Sequence, residues 1–287
     1  MRNIGISNLD IYLTGRCNFE CRYCYGEKDC YGPMNFEVYS KCLSFAKFIG
    51  ATYIELCGGE PLTISNFEDY VLMARKSGFE VILRTNGMLI DNHLEFIANN
   101  CSWVGISIDG LSHTNSLMRP SKTPIDEEKQ FTVPLNAICS LKEINPNIKI
   151  ILASLASKVN YLDIPKLANY LIENKVPIDE WKIYEFIVDK FRSVDNKGLF
   201  ELSEEEFSSM VKNLPETING AKIIVKSARG ERRVGDCLIV RQNGDLIIMG
   251  VRYGNLLNDD FDSIVDALFK DNAIDVIVKN KNETYGI

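Results

Sequence analysis

No run of about 18 apolar residues occurs in the chain, so no segment has the length of a membrane-spanning helix. The opening residues MRNIGISNLD have no apolar core of a signal peptide, and the expected location is the cytoplasm. A concentrated basic stripe is missing too, and the net charge of −7 argues against an extended nucleic-acid surface. It leaves room for a small anionic substrate held by a few local lysines and arginines. Histidine is scarce: His93 and His113 are the only two, both in polar helix starts where capping or surface roles are expected. Nine cysteines are an odd count with no secretory signal beside them, which argues against a disulfide framework. What remains, at 287 residues, 46% hydrophobic and 25% charged, is an ordinary globular chain able to bury a sizeable core.

Three of the cysteines are not scattered. Cys17, Cys21 and Cys24 lie in LTGRCNFECRYCYG, directly after the first strand-like stretch. Three thiolates on one short loop can hold an iron–sulfur cluster by three of its irons and leave another iron without a protein ligand. Such an open position can bind and activate a small molecule, as the open position of catalytic zinc does. Structural zinc is the competing reading. It lacks a second cysteine pair at zinc-finger distance, although Cys30 is near enough in sequence to be a fourth ligand. Cys42, Cys57, Cys101, Cys139 and Cys237 occur singly, mostly in apolar surroundings where a thiol acts as a small hydrophobe.

Periodicity predicts strands over 9–14, 53–57, 79–84, 102–108, 148–155 and 180–188, with helical spacing between them over 36–50, 66–78, 91–100, roughly 130–144 and 164–175. Alternation of this kind is the mark of an α/β fold with a parallel sheet and right-handed crossovers. The chemically loaded segments follow the strands. The cysteine loop follows the first, Gly58-Gly59-Glu60-Pro61 the second, Thr85-Asn86-Gly87 the third, and Ser107-Ile108-Asp109-Gly110 ends the fourth. Each alone could be a turn or a helix start. Together they fall at the strand ends where barrels of parallel strands build active sites.

These residues resemble the radical S-adenosylmethionine (radical SAM) superfamily: CNFECRYC matches its cluster loop, with the aromatic Tyr23 before the last cysteine, and CGGEP matches its glycine-rich loop. The resemblance spans about residues 8–190. It implies a partial (β/α)6 TIM-like barrel of parallel strands over residues 1–190, with a short α+β extension over 191–287. It also implies one oxygen-sensitive [4Fe-4S] cluster on Cys17, Cys21 and Cys24, whose open iron takes the amino and carboxylate groups of S-adenosylmethionine. Gly58, Gly59 and Glu60 would contact that amino group, Asn86 and Ser107 the methionine or ribose, Arg119 the carboxylate, and Tyr23 the adenine side. An external electron donor such as flavodoxin or ferredoxin would reduce the cluster and so release a 5′-deoxyadenosyl radical that abstracts hydrogen from substrate.

The tail carries an acidic helix SEEEFSSMVKNL, with a capping box from Ser203 to Glu206, then a strand AKIIVKS and a hairpin turning at Asn243-Gly244. Only Cys237 lies in it, so no auxiliary cluster is expected. This compact tail is similar to that of viperin-type nucleotide dehydratases, which would place Lys182 and Lys190 or Arg192 against a triphosphate. The run SIDGLSHTNSLMRP is instead similar to peptide-modifying members. A nucleotide substrate, a peptide substrate and a non-catalytic zinc protein therefore stand as three expectations. Anaerobic purification separates the last from the others: a brown protein with about four irons per chain is predicted, and a colourless zinc protein would contradict it.

Overall fold

The computed structural model describes residues 2–24, 26, 32–188, 192–227, 237–248 and 250–274. In chain order the first elements are β1 (Asn8–Thr14), α1 (Phe36–Ile49), β2 (Tyr53–Gly58), α2 (Phe67–Lys76), β3 (Glu80–Thr85), α3 (Leu94–Asn100), β4 (Trp103–Ser107), α4 (Ser112–Met118), α5 (Glu127–Ile144), β5 (Lys149–Ala156), α6 (Ile164–Glu173) and β6 (Glu180–Glu185). There follow α7 (Arg192–Asp195), α8 (Lys197–Phe200), α9 (Glu204–Lys212), β7 (Thr217–Ile218), β8 (Ala221–Lys226), β9 (Ile239–Val240), β10 (Asp245–Ile248), β11 (Val251–Asn255) and α10 (Phe261–Lys270).

Contacts divide the chain into one unit of Met1–Arg16, Lys28–Leu83 and Arg233–Ile287, and another of Cys17–Glu27 and Arg84–Arg232. In the first unit the strand order is β11-β10-β9-β1-β2-β3, with β9, β1, β2 and β3 parallel and β10 and β11 antiparallel. Its helices follow from simple signals. The side chain of Asn35 accepts from the Val38 N–H to start α1, and Gly50 at φ +79° ends it. Phe261 of α10 packs on Phe45 and Phe48 of α1, and Arg2 pairs with Asp266 at 2.7 Å.

In the second unit the order is β4-β5-β6-β8-β7, parallel from β4 through β8. Residues opposite in register share a face, so Ser107, Ala153, Lys182 and Ile224 form one row. The other face carries Leu152, Trp181 and Ile183, all fully buried, and the Trp181 indole donates to Ser154 at 2.9 Å. Pro134 sits inside α5, where it removes the N–H that would bond the carbonyl of Gln130. Asn115 Nδ2 donates to that carbonyl instead, at 3.4 Å.

The six strands expected from periodicity are present with ends shifted by at most three residues. The helix expected from about residue 130 starts earlier, because Asp126 caps it by accepting from the Lys129 N–H at 3.1 Å. The 91–100 segment splits into a 3-10 turn and α3. Ser203 and Glu206 make both bonds of the capping box on α9, and Gly244 takes φ +86° in the loop between β9 and β10. Among the described residues no helix is long and apolar enough to cross a membrane.

Asp179, just before β6, ties this unit's edge together. It accepts from Lys142 at 2.7 Å, Ile150 N–H at 2.8 Å and Lys149 at 3.0 Å. Burial alone would raise its pKa, but these three donors together hold it below its ordinary value. A depressed carboxylate stabilises the fold above its unfolded pKa, and that stability is lost as pH falls through the folded value. Wild-type protein is therefore expected to lose stability from about pH 4 downward, and Asp179→Asn to lose less over that window. Parallel denaturation curves for the two proteins would contradict this.

Candidate functional site

Cys17, Cys21 and Cys24 are half-buried. The loop turns its amides onto its sulfurs: Phe19 N–H donates to Cys17 Sγ at 3.4 Å, and Gly26 N–H to Cys24 Sγ at 3.3 Å. Burial pushes the Cys21 thiol up to about 11; Arg119 opposes this, while Cys24, Asp109 and Cys17 add to it. A thiol whose ionisation is opposed by burial, as that of Cys21 is, suits a cationic metal centre, which deprotonates its sulfur ligands outright, and amides aimed at sulfur are one means of setting a cluster's potential. Three thiols on one short loop are a donor set that fits a multi-iron cluster, which takes cysteine sulfur as its protein ligand. Cys30 lies outside the described residues.

What fixes the loop is a network around Asp109, which is 1% exposed. Its Oδ1 accepts from Leu155 N–H at 2.7 Å. Its Oδ2 accepts from the Tyr23 hydroxyl and, at 3.2 Å, from Arg119 Nη1. Arg119 Nη1 also donates to the Tyr23 oxygen at 2.8 Å, and its guanidinium lies 5.8 Å over the Phe19 ring. Burial favours the neutral form of both groups, raising Tyr23 and opposing the charge of Arg119. Contact with Tyr23, Cys21 and Asp109 nevertheless keeps Arg119 firmly protonated. Its Nε is buried with no hydrogen-bond partner. Asp109 is itself braced: Asn160 Nδ2 donates to its carbonyl at 2.6 Å, and its N–H donates to Asn115 Oδ1 at 2.9 Å.

Further ties hold the loop on its other sides. Asn86 Nδ2 donates to Asn18 Oδ1 at 2.6 Å. Phe19 and Ser121 form an antiparallel bridge, flanked by Glu20 N–H to Pro120 carbonyl at 2.7 Å and Lys122 N–H to Asn18 carbonyl at 2.9 Å. Asn196 Nδ2 donates to the Arg22 carbonyl at 3.1 Å, and the Phe200 ring meets Tyr23 edge-on at 5.9 Å. Ser107 ends β4, half-buried.

The glycine-rich loop after β2 is packed backbone to backbone. Gly59 N–H donates to the Thr14 carbonyl at 2.6 Å and Glu60 N–H to the Arg16 carbonyl at 2.7 Å. A Cβ on Gly58, at φ +124°, would lie 2.4 Å from the Thr14 oxygen, and one on Gly59 2.1 Å from the Arg16 oxygen. Only glycine permits that approach, and Arg16 is followed directly by Cys17. Glu60 is fully buried, and its Oε1 accepts from Leu62 N–H at 3.2 Å to cap a 3-10 turn.

Of the residues expected to meet a triphosphate, Lys182 is fully buried with its ammonium 3.1 Å from Glu180 Oε2. A phosphate reaching it would compete with that carboxylate. Lys190 lies outside the described residues, as does the side chain of Arg192, whose backbone begins α7. His113 pairs with Glu127 at 3.0 Å on the surface, away from this network. Asp109, Asn18 and Asn160 were not singled out as site residues by sequence, since an aspartate before glycine reads equally as a helix start.

Residues 11–131 match the family described as the radical SAM superfamily. The chain is 29% identical over 170 residues to the Fe-coproporphyrin III synthase of Methanosarcina barkeri, covering 58% of this chain and 41% of that protein. It is 25% identical over 223 residues to an S-adenosylmethionine-dependent nucleotide dehydratase of Psychrobacter lutiphocae, covering 70% of each. It thus spans about two fifths of the length of the first relative. The solved structure described as native anSMEcpe with bound AdoMet and Cp18Cys peptide is 20% identical with a TM-score of 0.72, over 95% of this chain and 82% of that one. That likeness shows the fold, an α/β partial barrel whose sheet is not closed.

Arg119→Leu leaves the buried Asp109 carboxylate short of its cation, and a loss of about 3–5 kcal/mol in denaturant unfolding is expected. Adding Asp109→Asn is expected to restore part of it. A single Arg119 variant as stable as wild type would show that the network does not hold the loop.

Proposed function

We propose, for a chain whose residues 11–131 belong to the radical SAM superfamily, that it is an enzyme which cleaves S-adenosylmethionine at a single [4Fe-4S] cluster and acts on a nucleotide. The observation that carries the reading is the cysteine loop, whose other residues are held from five other segments and two of whose three sulfurs are met by backbone amides. When bound and reduced, the cluster supplies the electron that splits the sulfonium into methionine and a 5′-deoxyadenosyl radical.

The chain's own contribution is to bind, orient and shield. Cys17, Cys21 and Cys24 are the proposed iron ligands. Gly58, Gly59 and Glu60 are proposed at the methionine amino group, Asn86 and Ser107 along the methionine and ribose, and Tyr23 on the adenine side. Arg119 stays protonated in a buried setting, which suits a carboxylate, and its Nε remains as a donor. The electron donor is proposed to be a flavodoxin or ferredoxin, and the tail over 191–287 to carry no auxiliary cluster.

The nucleotide assignment is supported by the relative named a nucleotide dehydratase, matched over 70% of both chains, and by the lysine on the row that contains Ser107. Lys182, Lys190 and Arg192 are proposed around the phosphates. A peptide substrate is the second reading, favoured by the sequence SIDGLSHTNSLMRP.

Reconstituted anaerobically with S-adenosylmethionine and a reductant, the protein is expected to form 5′-deoxyadenosine faster when one of the ribonucleoside triphosphates is added. Cys17→Ala is expected to abolish formation. Stimulation by peptides alone would move the assignment to the second reading, and no stimulation by either class would overturn both.

A further inference from the structure

Asp109 and Arg119 hold the cysteine loop in place, and their charges lie unevenly about its middle sulfur. The Arg119 guanidinium donates to the Tyr23 oxygen at 2.8 Å and rests 5.8 Å over the Phe19 ring. Phe19 and Tyr23 lie two residues before and two residues after Cys21, so the cation is held against both flanks of that cysteine. Asp109 reaches the loop through the Tyr23 hydroxyl, while its other oxygen accepts from Leu155 N–H of β5.

The ion pair is not a closed one. Arg119 meets Asp109 through Nη1 at 3.2 Å, and its Nε is buried with no hydrogen-bond partner; a bidentate pair would set two N–H groups on the carboxylate. Burial is the largest influence on the Cys21 thiol and opposes its ionisation. Arg119 comes next and favours it, and Asp109, which opposes it, ranks lower. The cation is therefore felt at Cys21 beyond what its carboxylate partner cancels. The Arg119 side chain is 11% exposed and that of Asp109 1%, so dissolved ions screen neither charge as they would at the surface.

Reduction of a thiolate-bound cluster adds one negative charge, and charge near the sulfurs is among the factors that set its potential. A fixed cation makes the added electron less costly, and a fixed anion makes it more so. Resting on the cluster reading above, we infer that Arg119 and Asp109 form an opposed charge pair that sets the reduction potential of the cluster on Cys17, Cys21 and Cys24. Arg119 raises the potential, Asp109 lowers it, and Arg119 prevails. Both remain positioning residues of the loop, and this electrostatic part is additional to that role.

Potentiometric titration of the reconstituted protein with dithionite and mediators, followed by electron paramagnetic resonance without S-adenosylmethionine, tests this without turnover. Leaving the cofactor out separates the effect from any contact Arg119 makes with it. At the wild-type midpoint, Arg119→Gln is expected to lower the ratio of reduced to oxidised cluster about tenfold, equivalent to about 59 mV for a one-electron couple. Arg119→Lys keeps the charge and is expected to stay near wild type. Asp109→Asn keeps the side chain's shape and is expected to shift the potential upward. Opposite signs mark an effect of charge, because a loosened loop would admit water in either variant and move both the same way. If Arg119→Gln keeps no iron, Asp109→Asn decides alone. An Asp109→Asn potential that is unchanged or lower, or equal shifts in Arg119→Gln and Arg119→Lys, would overturn the inference while the cluster reading stands. Wild-type protein that takes up no iron would remove the cluster reading and the inference with it.

Discussion

The cysteine loop depends above all on one buried carboxylate. Asp109 takes a backbone amide from β5, a phenol from within the loop and a guanidinium from the end of α4. A carboxylate this deep is tolerated only when its lone pairs are met and its charge is compensated. Each partner is therefore held as firmly as Asp109 is. Tyr23 sits between Cys21 and Cys24, so fixing its hydroxyl fixes the backbone that carries two of the three sulfurs. Asn160, fully buried and bonded to the Asp109 and Leu155 carbonyls, keeps the ends of β4 and β5 in step beneath it.

The glycine-rich loop solves a related problem by other means. Gly58 and Gly59 lie so close to the backbone at Thr14 and Arg16 that a side chain at either position would overlap a carbonyl oxygen. Two amide bonds then set the direction in which the chain leaves β1, one residue before Cys17. The glycines shape the path by which the chain leaves β1. Polar side chains and bare backbone thus serve the same end, a loop with few alternatives before any iron arrives. Pre-organisation of that kind lowers the ordering cost of binding.

Much of this was legible in the sequence, for physical reasons. The alternation YIELC and the apolar runs of β4 and β5 have period or composition that only strands satisfy, and the capping box at Ser203 is a local signal that no distant contact need support. Long-range pairing was less legible. β9 has two residues and takes its place through a parallel pairing with β1, more than two hundred positions away in sequence, and no local pattern reports that. The cysteines and glycines of the site announced themselves through spacing. Asp109 did not, because its meaning lies in Tyr23, a residue far off in the chain that contributes a hydroxyl.

The central claim is that Cys17, Cys21 and Cys24 hold a cluster with one iron open to S-adenosylmethionine. The most direct measurement is the electron paramagnetic resonance spectrum of the reconstituted, reduced protein before and after S-adenosylmethionine is added. A reduced-cluster signal that changes on addition, and that is missing from a variant lacking the three cysteines, is the predicted result. A spectrum indifferent to S-adenosylmethionine, or a protein that takes up no iron, would contradict it.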